Sequence, residues 1–238
     1  MTRRLLESAE KILLILGMLY VTADLTSDMV TFKMVSVFHV TEIGAVFIFP
    51  LTYLIADIVT ELYGYSVGRT LIWVSLCCDF LFVLLAMLII HLPSPDLLNN
   101  TDALKQVIDP LLRVDIGGAL GILIGGFANI YALSKWKVLF KGRYFWLRSI
   151  ASTGVGEAVY IIVACLISYS SFMTTQDIFK LMLVNYATKI VYAIVGGLPA
   201  AYLVKYLKEK IKIDTYDTNI SYNPFNVLSI EGESNEKR

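Results

Sequence analysis

FPLTYLIADIVTELYG, from Phe49 to Gly64, is apolar enough to lie in lipid, yet it places Asp57 and Glu61 one helical turn apart. Side chains at i and i+4 share a helix face, so Tyr53, Asp57 and Glu61 form one polar stripe. Two carboxylates on one stripe are costly in a bilayer unless a cation or hydrogen-bond donors meet them. The plainer reading is a helix end, since Glu61 lies near one and a charged side chain there reaches interfacial water. Asp57 lies deeper and points to function. Pro50 falls near the middle of the apolar run Val40–Tyr63, where it removes a backbone donor and invites a kink. Backbone freed at membrane depth needs protein or a water-filled cavity around it.

Composition sets the class. Hydrophobic residues make up 57% of the chain and charged residues 17%, with a mean hydropathy of +0.67, too apolar for an ordinary soluble domain. A span needs about 20 mainly apolar residues. On that measure a first helix runs from Ile12 past Asp24 and Asp28 toward Lys33, and a second covers Val40–Tyr63. A third runs from Val67 to Leu92, a fourth from Arg113 to Leu133, a fifth from Ser149 to Tyr169 and a sixth from Phe179 to Tyr206. The expected fold is all-α: a polytopic membrane protein of six transmembrane helices. Pro93–Pro110 reads as a polar loop. Residues 1–213 are expected to form one six-helix membrane domain, and residues 214–238 a polar, disordered C-terminal tail.

An even number of spans puts both termini on one side. Arg3, Arg4, Lys11, Arg69, the basic stretch Lys135–Arg148, and Lys205, Lys208, Lys210 and Lys212 fall on that side. Only Lys33, Lys105, Arg113 and Lys180 fall on or near the other. Lysine and arginine concentrate in cytoplasmic loops, so both termini are expected in the cytoplasm and the protein in the inner (plasma) membrane.

Other signals concern packing. Gly117, Gly121 and Gly125 recur every four residues, a spacing that lets another helix approach closely. Gly196, Gly197 and Pro199 are expected to loosen the sixth helix, as broken segments do around transport sites. Cys77, Cys78 and Cys165 lie in apolar segments without CxxC spacing and read as small core residues. His39 and His91 have no zinc-ligand spacing, no phosphate-loop sequence is present, and no Ser/His/Asp order suggests a nucleophile. The sequence therefore implies no enzyme, no metal and no cofactor. Asp57, Glu61, Glu157, Lys189 and Arg113 remain as buried acids and bases. Mutual pairing as structural glue is one reading of them. A pathway for a polar solute is the other, because intramembrane ionisable groups normally line one.

FPLTYLIADIVTELYG followed by Arg69 and Trp73 resembles the signature of the queuosine precursor transporter family, integral membrane proteins of vitamin-uptake type. The resemblance extends to Arg113, to WLRSIASTGVGE (Trp146–Glu157) and to Tyr186, Lys189 and Pro199, covering most of Leu16–Lys205. Two positions depart from the family pattern: Asp28, where an Asn is usual, and Tyr160, where an Asp is usual. The resemblance implies uptake of a 7-deazaguanine base, queuine or a precursor. The substrate contacts it suggests, joined to the residues above, are Tyr53, Asp57, Glu61, Arg113, Asn129, Glu157, Tyr186 and Lys189. A carboxylate accepts the paired N–H and NH₂ of a guanine edge, a cation or amide donates to the carbonyl, and tyrosines stack on the ring. The alternative is a substrate-binding subunit of a multi-component ATP-driven importer. The expected partners are the solute and the lipid bilayer, with no nucleic acid.

Overall fold

The computed structural model describes residues 3–37, 40–93, 101–171 and 173–227; His39, Asp96 and residues 228–238 lie outside them. Helix α1 spans Arg3–Met29, and a two-stranded antiparallel hairpin follows, β1 (Met34–Val37) and β2 (Val40–Ile43), pairing Met34 with Ile43 and Val35 with Glu42. A 3₁₀ turn, Gly44–Phe47, leads into α2 (Pro50–Tyr63). Then come α3 (Tyr65–Ile90), α4 (Thr101–Ile108), α5 (Leu111–Gly121), a π-helical turn (Ile122–Gly126), α6 (Phe127–Leu139), α7 (Phe145–Tyr169) and α8 (Thr175–Ile211). Six helical segments are long and apolar enough to cross a membrane: Leu5–Met29, Gly44–Tyr63, Tyr65–Ile90, Ala103–Leu139, Phe145–Tyr169 and Thr175–Ile211. The chain is thus an all-α multi-pass membrane protein.

The prolines behave differently from expectation. Pro50 is the first residue of α2, not a kink within a longer helix, and Val40–Ile43 is a strand. Proline suits the first helical position, where its missing N–H has no partner to lose. Pro199 lies inside α8, which nonetheless runs unbroken from Thr175 to Ile211. The irregular turn falls instead at Ile122–Gly126, between α5 and α6. A π turn shifts the face presented by everything after it. Part of the polar loop Pro93–Pro110 is helical, as α4.

The glycine spacing is a packing seam. A Cβ at Gly117 would stand 3.3 Å from the Ala164 carbonyl oxygen, and one at Gly121 would stand 2.7 Å from Tyr160 Cδ2. One at Gly125 would stand 2.9 Å from the Tyr160 nitrogen. Only glycine lets α5 and the π turn lie this close to α7.

Of the tail expected over residues 214–238, the structure describes residues 214–227, and these pack against the bundle. Residues 214–227 run without regular structure along the end of the bundle where α1 begins, and they are held there by several polar contacts. The Tyr65 N–H donates to Asp217 Oδ2 at 2.8 Å, and Ser134 donates to the same oxygen at 2.5 Å. Arg69 donates to the carbonyls of Ser221 (3.2 Å) and Asn223 (2.8 Å), and Trp73 Nε1 to that of Pro224 (2.7 Å). Lys135 lies 4.1 Å from the centre of the Tyr222 ring. Arg69 and Trp73, conspicuous in the sequence, grip this strap. Polar composition suggested disorder, but the strap's carbonyls and carboxylates meet buried donors that the bundle leaves open.

Candidate substrate site

Going from the strap inward, the stripe on α2 meets a different set of partners at each turn. Glu61 is buried and takes two hydrogen bonds from Arg148 (3.0 and 3.2 Å) and one from Lys208 (2.6 Å). Lys137, also buried, donates to the Glu61 backbone carbonyl at 2.5 Å and pairs with Asp214 at 2.6 Å. Two of the basic residues of Lys135–Arg148, Lys137 and Arg148, are therefore interior ion-pair partners. Asp214, outside the spans, is partly buried, which raises its pKa; hydrogen bonds from Lys137 and Lys208 outweigh this and hold it below the ordinary carboxylate value.

One turn deeper, Asp57 is 0% exposed and has only neutral donors: Ser149 (2.5 Å), Asn129 (2.8 Å) and Thr153 (3.3 Å). Neutral hydrogen bonds solvate the carboxyl without a counter-ion. Asn129 keeps its Oδ1 without a partner. A further turn along, Tyr53 is buried with its hydroxyl unpartnered, its ring 5.7 Å from that of Phe49.

The next layer unites α2, α7 and α8. Lys189 Nζ donates to Glu157 Oε2 at 2.8 Å, and both residues are buried. Phe49 and Tyr160 stack with centroids 4.6 Å apart and planes at 23°, and the Lys189 ammonium lies 4.3 Å from each ring centre. An enclosed cavity lined by Asp28, Phe49, Tyr160, Tyr169, Asn185 and Lys189 adjoins this arrangement. Its free volume is about 40 Å³, room for a few waters. Glu157 Oε1 and Asn185 Oδ1 are buried acceptors with no partner. In a native interior such atoms are rare and call for a donor. At the hairpin end, Glu42 accepts from Thr188 (3.4 Å) and the Ile43 N–H (3.3 Å). Burial raises its pKa, against these hydrogen bonds and the charge of Lys189.

The structure brings Tyr53, Asp57, Asn129, Glu157 and Lys189 into one interior column and ties Glu61, one turn beyond Asp57, to Arg148 and Lys208. Arg113 lies elsewhere, donating to the Ile167 carbonyl (2.7 Å) and to the hydroxyls of Ser170 (2.9 Å) and Ser171 at the end of α7. Tyr186 donates to the Gly154 carbonyl at 3.2 Å, joining α8 to α7. The sequence reading did not place Phe49 or Asn185 at the site, and it singled out Asp28 and Tyr160 only as departures from the family pattern. Phe49 sits one turn before Tyr53 on the same stripe, a signal that was present; Tyr160 and Asn185 follow Glu157 and precede Lys189 by one turn.

The profile of a family described as "Putative vitamin uptake transporter" matches residues 43–204, a span that contains the whole column. Comparison with curated proteins and with solved structures returned no match.

Proposed function

The chain belongs to the vitamin uptake transporter family, the queuosine precursor transporter-like proteins, and from that premise we propose that it imports a 7-deazaguanine base, queuine or a precursor, for tRNA modification. The observation that carries the reading is the Lys189 layer: an ammonium, an aromatic stack and two unpartnered acceptors, Glu157 Oε1 and Asn185 Oδ1, beside one enclosed cavity. A guanine-like edge offers the adjacent donors those acceptors lack, and its carbonyl takes a hydrogen bond from Lys189. Phe49 and Tyr160 give the planar ring a stacking surface. An aminomethyl cation on the base finds its carboxylate in Asp28, which lines the same cavity. The cavity is smaller than such a base, so binding moves the Phe49–Tyr160 stack or the Lys189 side chain.

In this reading the protein sits in the inner membrane with its termini in the cytoplasm. The test is a cell that makes no 7-deazaguanine and lacks this gene, given each candidate base from outside. Queuosine in tRNA should return only when the gene is restored. Equal queuosine with and without the gene, for every base supplied, would refute the substrate assignment.

A further inference from the structure

Four aspartates gather to one side of the substrate column. Asp24 and Asp28 stand one turn apart on α1, Asp79 is on α3 and Asp115 on α5, all within membrane-spanning segments. Asp24, Asp79 and Asp115 are buried and Asp28 half-buried. Ion pairs among the described residues bring no lysine, arginine or histidine to any of the four. Four close carboxylates in an apolar bundle do not all stay ionised.

The chemistry of one pair is more specific. Asp24 Oδ2 accepts from Ser75 at 2.7 Å, and Asp79 stands one turn beyond Ser75 on α3, on the helix face that meets Asp24. Carboxylates have acceptors only, so two of them bond only through a proton that one carries. Asp79 is 4% exposed, and its Oδ1 has no donor from the protein. A proton held by one of the two carboxylates would supply that donor. No group of three or more His, Cys, Asp or Glu among the described residues is arranged for a metal ion. Tyr20 and Asp28 stand one turn to either side of Asp24 on α1, and the charge of Asp24 also reaches Asp115 on α5 and Tyr160 on α7. Asp28, one turn from Asp24 on α1, also lines the cavity, so it links the pair to the cavity wall.

We propose that the Asp24–Asp79 pair is the proton-binding site that couples solute uptake to a proton gradient. The proton joins the pair from the outer side, one carboxylate becoming a carboxylic acid, and leaves to the cytoplasm as the solute is released. One proton moves with each solute. The proposal rests on the chain being a transporter and not on which base it carries.

Purified full-length chain in liposomes, given radiolabelled 7-deazaguanine, tests it under an imposed pH gradient, an imposed sodium gradient or neither. Accumulation is expected with the pH gradient alone, up to about tenfold per pH unit for one proton per neutral solute. A protonophore should collapse it. Asp79→Asn should keep solute exchange and lose accumulation, and Asp24→Asn replaces it if the first variant does not fold. Wild-type exchange without pH-driven accumulation, or accumulation driven by sodium, overturns the proton site and leaves transport standing. Absence of even exchange in the wild type defeats 7-deazaguanine as the solute, and infrared spectroscopy then decides alone. A protonated-carboxyl band at neutral pH, removed by Asp79→Asn or Asp24→Asn, supports the pair. A spectrum without that band, or one that neither variant changes, overturns it whatever the solute.

Discussion

A buried ion pair that serves only packing and one that holds a solute respond differently when both partners are replaced. Lys189→Met alone leaves Glu157 buried and uncompensated, which costs about 3–5 kcal/mol of stability. Glu157→Gln with Lys189→Met removes both charges and should recover most of that loss in thermal melts of purified protein. Binding of a 7-deazaguanine should stay weakened in the same double variant. Each lost charge-assisted hydrogen bond is worth about 1.5–3 kcal/mol, roughly ten- to hundredfold in affinity. Recovery of binding along with stability would make the pair structural. Asp57 poses a different test, because its donors are the neutral Ser149, Asn129 and Thr153. Asp57→Asn turns one acceptor into a donor facing donors and should lower stability by about 1–3 kcal/mol. Uptake per folded protein should fall severely; unchanged uptake would leave Asp57 a packing residue.

Helix–helix contacts make their own prediction. α5 and the π turn approach α7 only because Gly121 and Gly125 lack side chains. A Cβ at Gly125 would press on Tyr160 Cβ at 3.0 Å, whereas one at Gly118 would meet only the Tyr160 hydroxyl, at 3.8 Å. Gly125→Ala should therefore destabilise by about 1–3 kcal/mol, as overpacking does, and Gly118→Ala should be near neutral or stabilising. Because Tyr160 also lines the cavity, Gly125→Ala should weaken substrate binding too. Equal melting temperatures for the two variants would contradict the seam. α8 shows the opposite principle: Pro199 costs one internal hydrogen bond, which the rest of a 37-residue helix outweighs.

At the scale of the molecule, the strap and the sidedness are the open tests. Deleting residues 214–238 removes Asp214 from Lys137 and Lys208 and leaves the donors of Tyr65, Arg69 and Trp73 without these acceptors. The truncated chain should melt several degrees lower than the full chain, and an unchanged melt would mean that the strap adds nothing. Asp214 also gives this dock a pH dependence. Its pKa is below the ordinary 3.8 in the folded protein, so its contribution is present above that value and fades as pH falls through the lower folded pKa. Protection of residues 214–227 from proteolysis should weaken in acid and persist at neutral pH, and Asp214→Asn should flatten that acid dependence. For sidedness, cysteine placed at Lys141 should react with impermeant reagent only from the cytoplasm, and cysteine placed at His91 only from outside. The reverse pattern would invert the proposed direction of the proton and the solute.

The spans, the all-α class and the shared face of Tyr53, Asp57 and Glu61 follow from the sequence alone. The bilayer imposes a local requirement, about 20 apolar residues per crossing, and helical periodicity is equally local. The family likeness was legible for the same reason, in one contiguous stretch. Partners were not legible. Nothing local says that Glu61 meets Arg148 and Lys208, that Asp57 meets only neutral donors, or that Phe49 stacks on Tyr160. Those depend on the depth and rotation of each helix against its neighbours, fixed by the glycine seam, the π turn and the exit of the chain from α8. The strap shows this most plainly. Its composition is that of a solvated tail, yet residues 214–227 lie against the bundle because Arg69, Trp73, Ser134 and Lys137, far away in sequence, have donors that its acceptors meet.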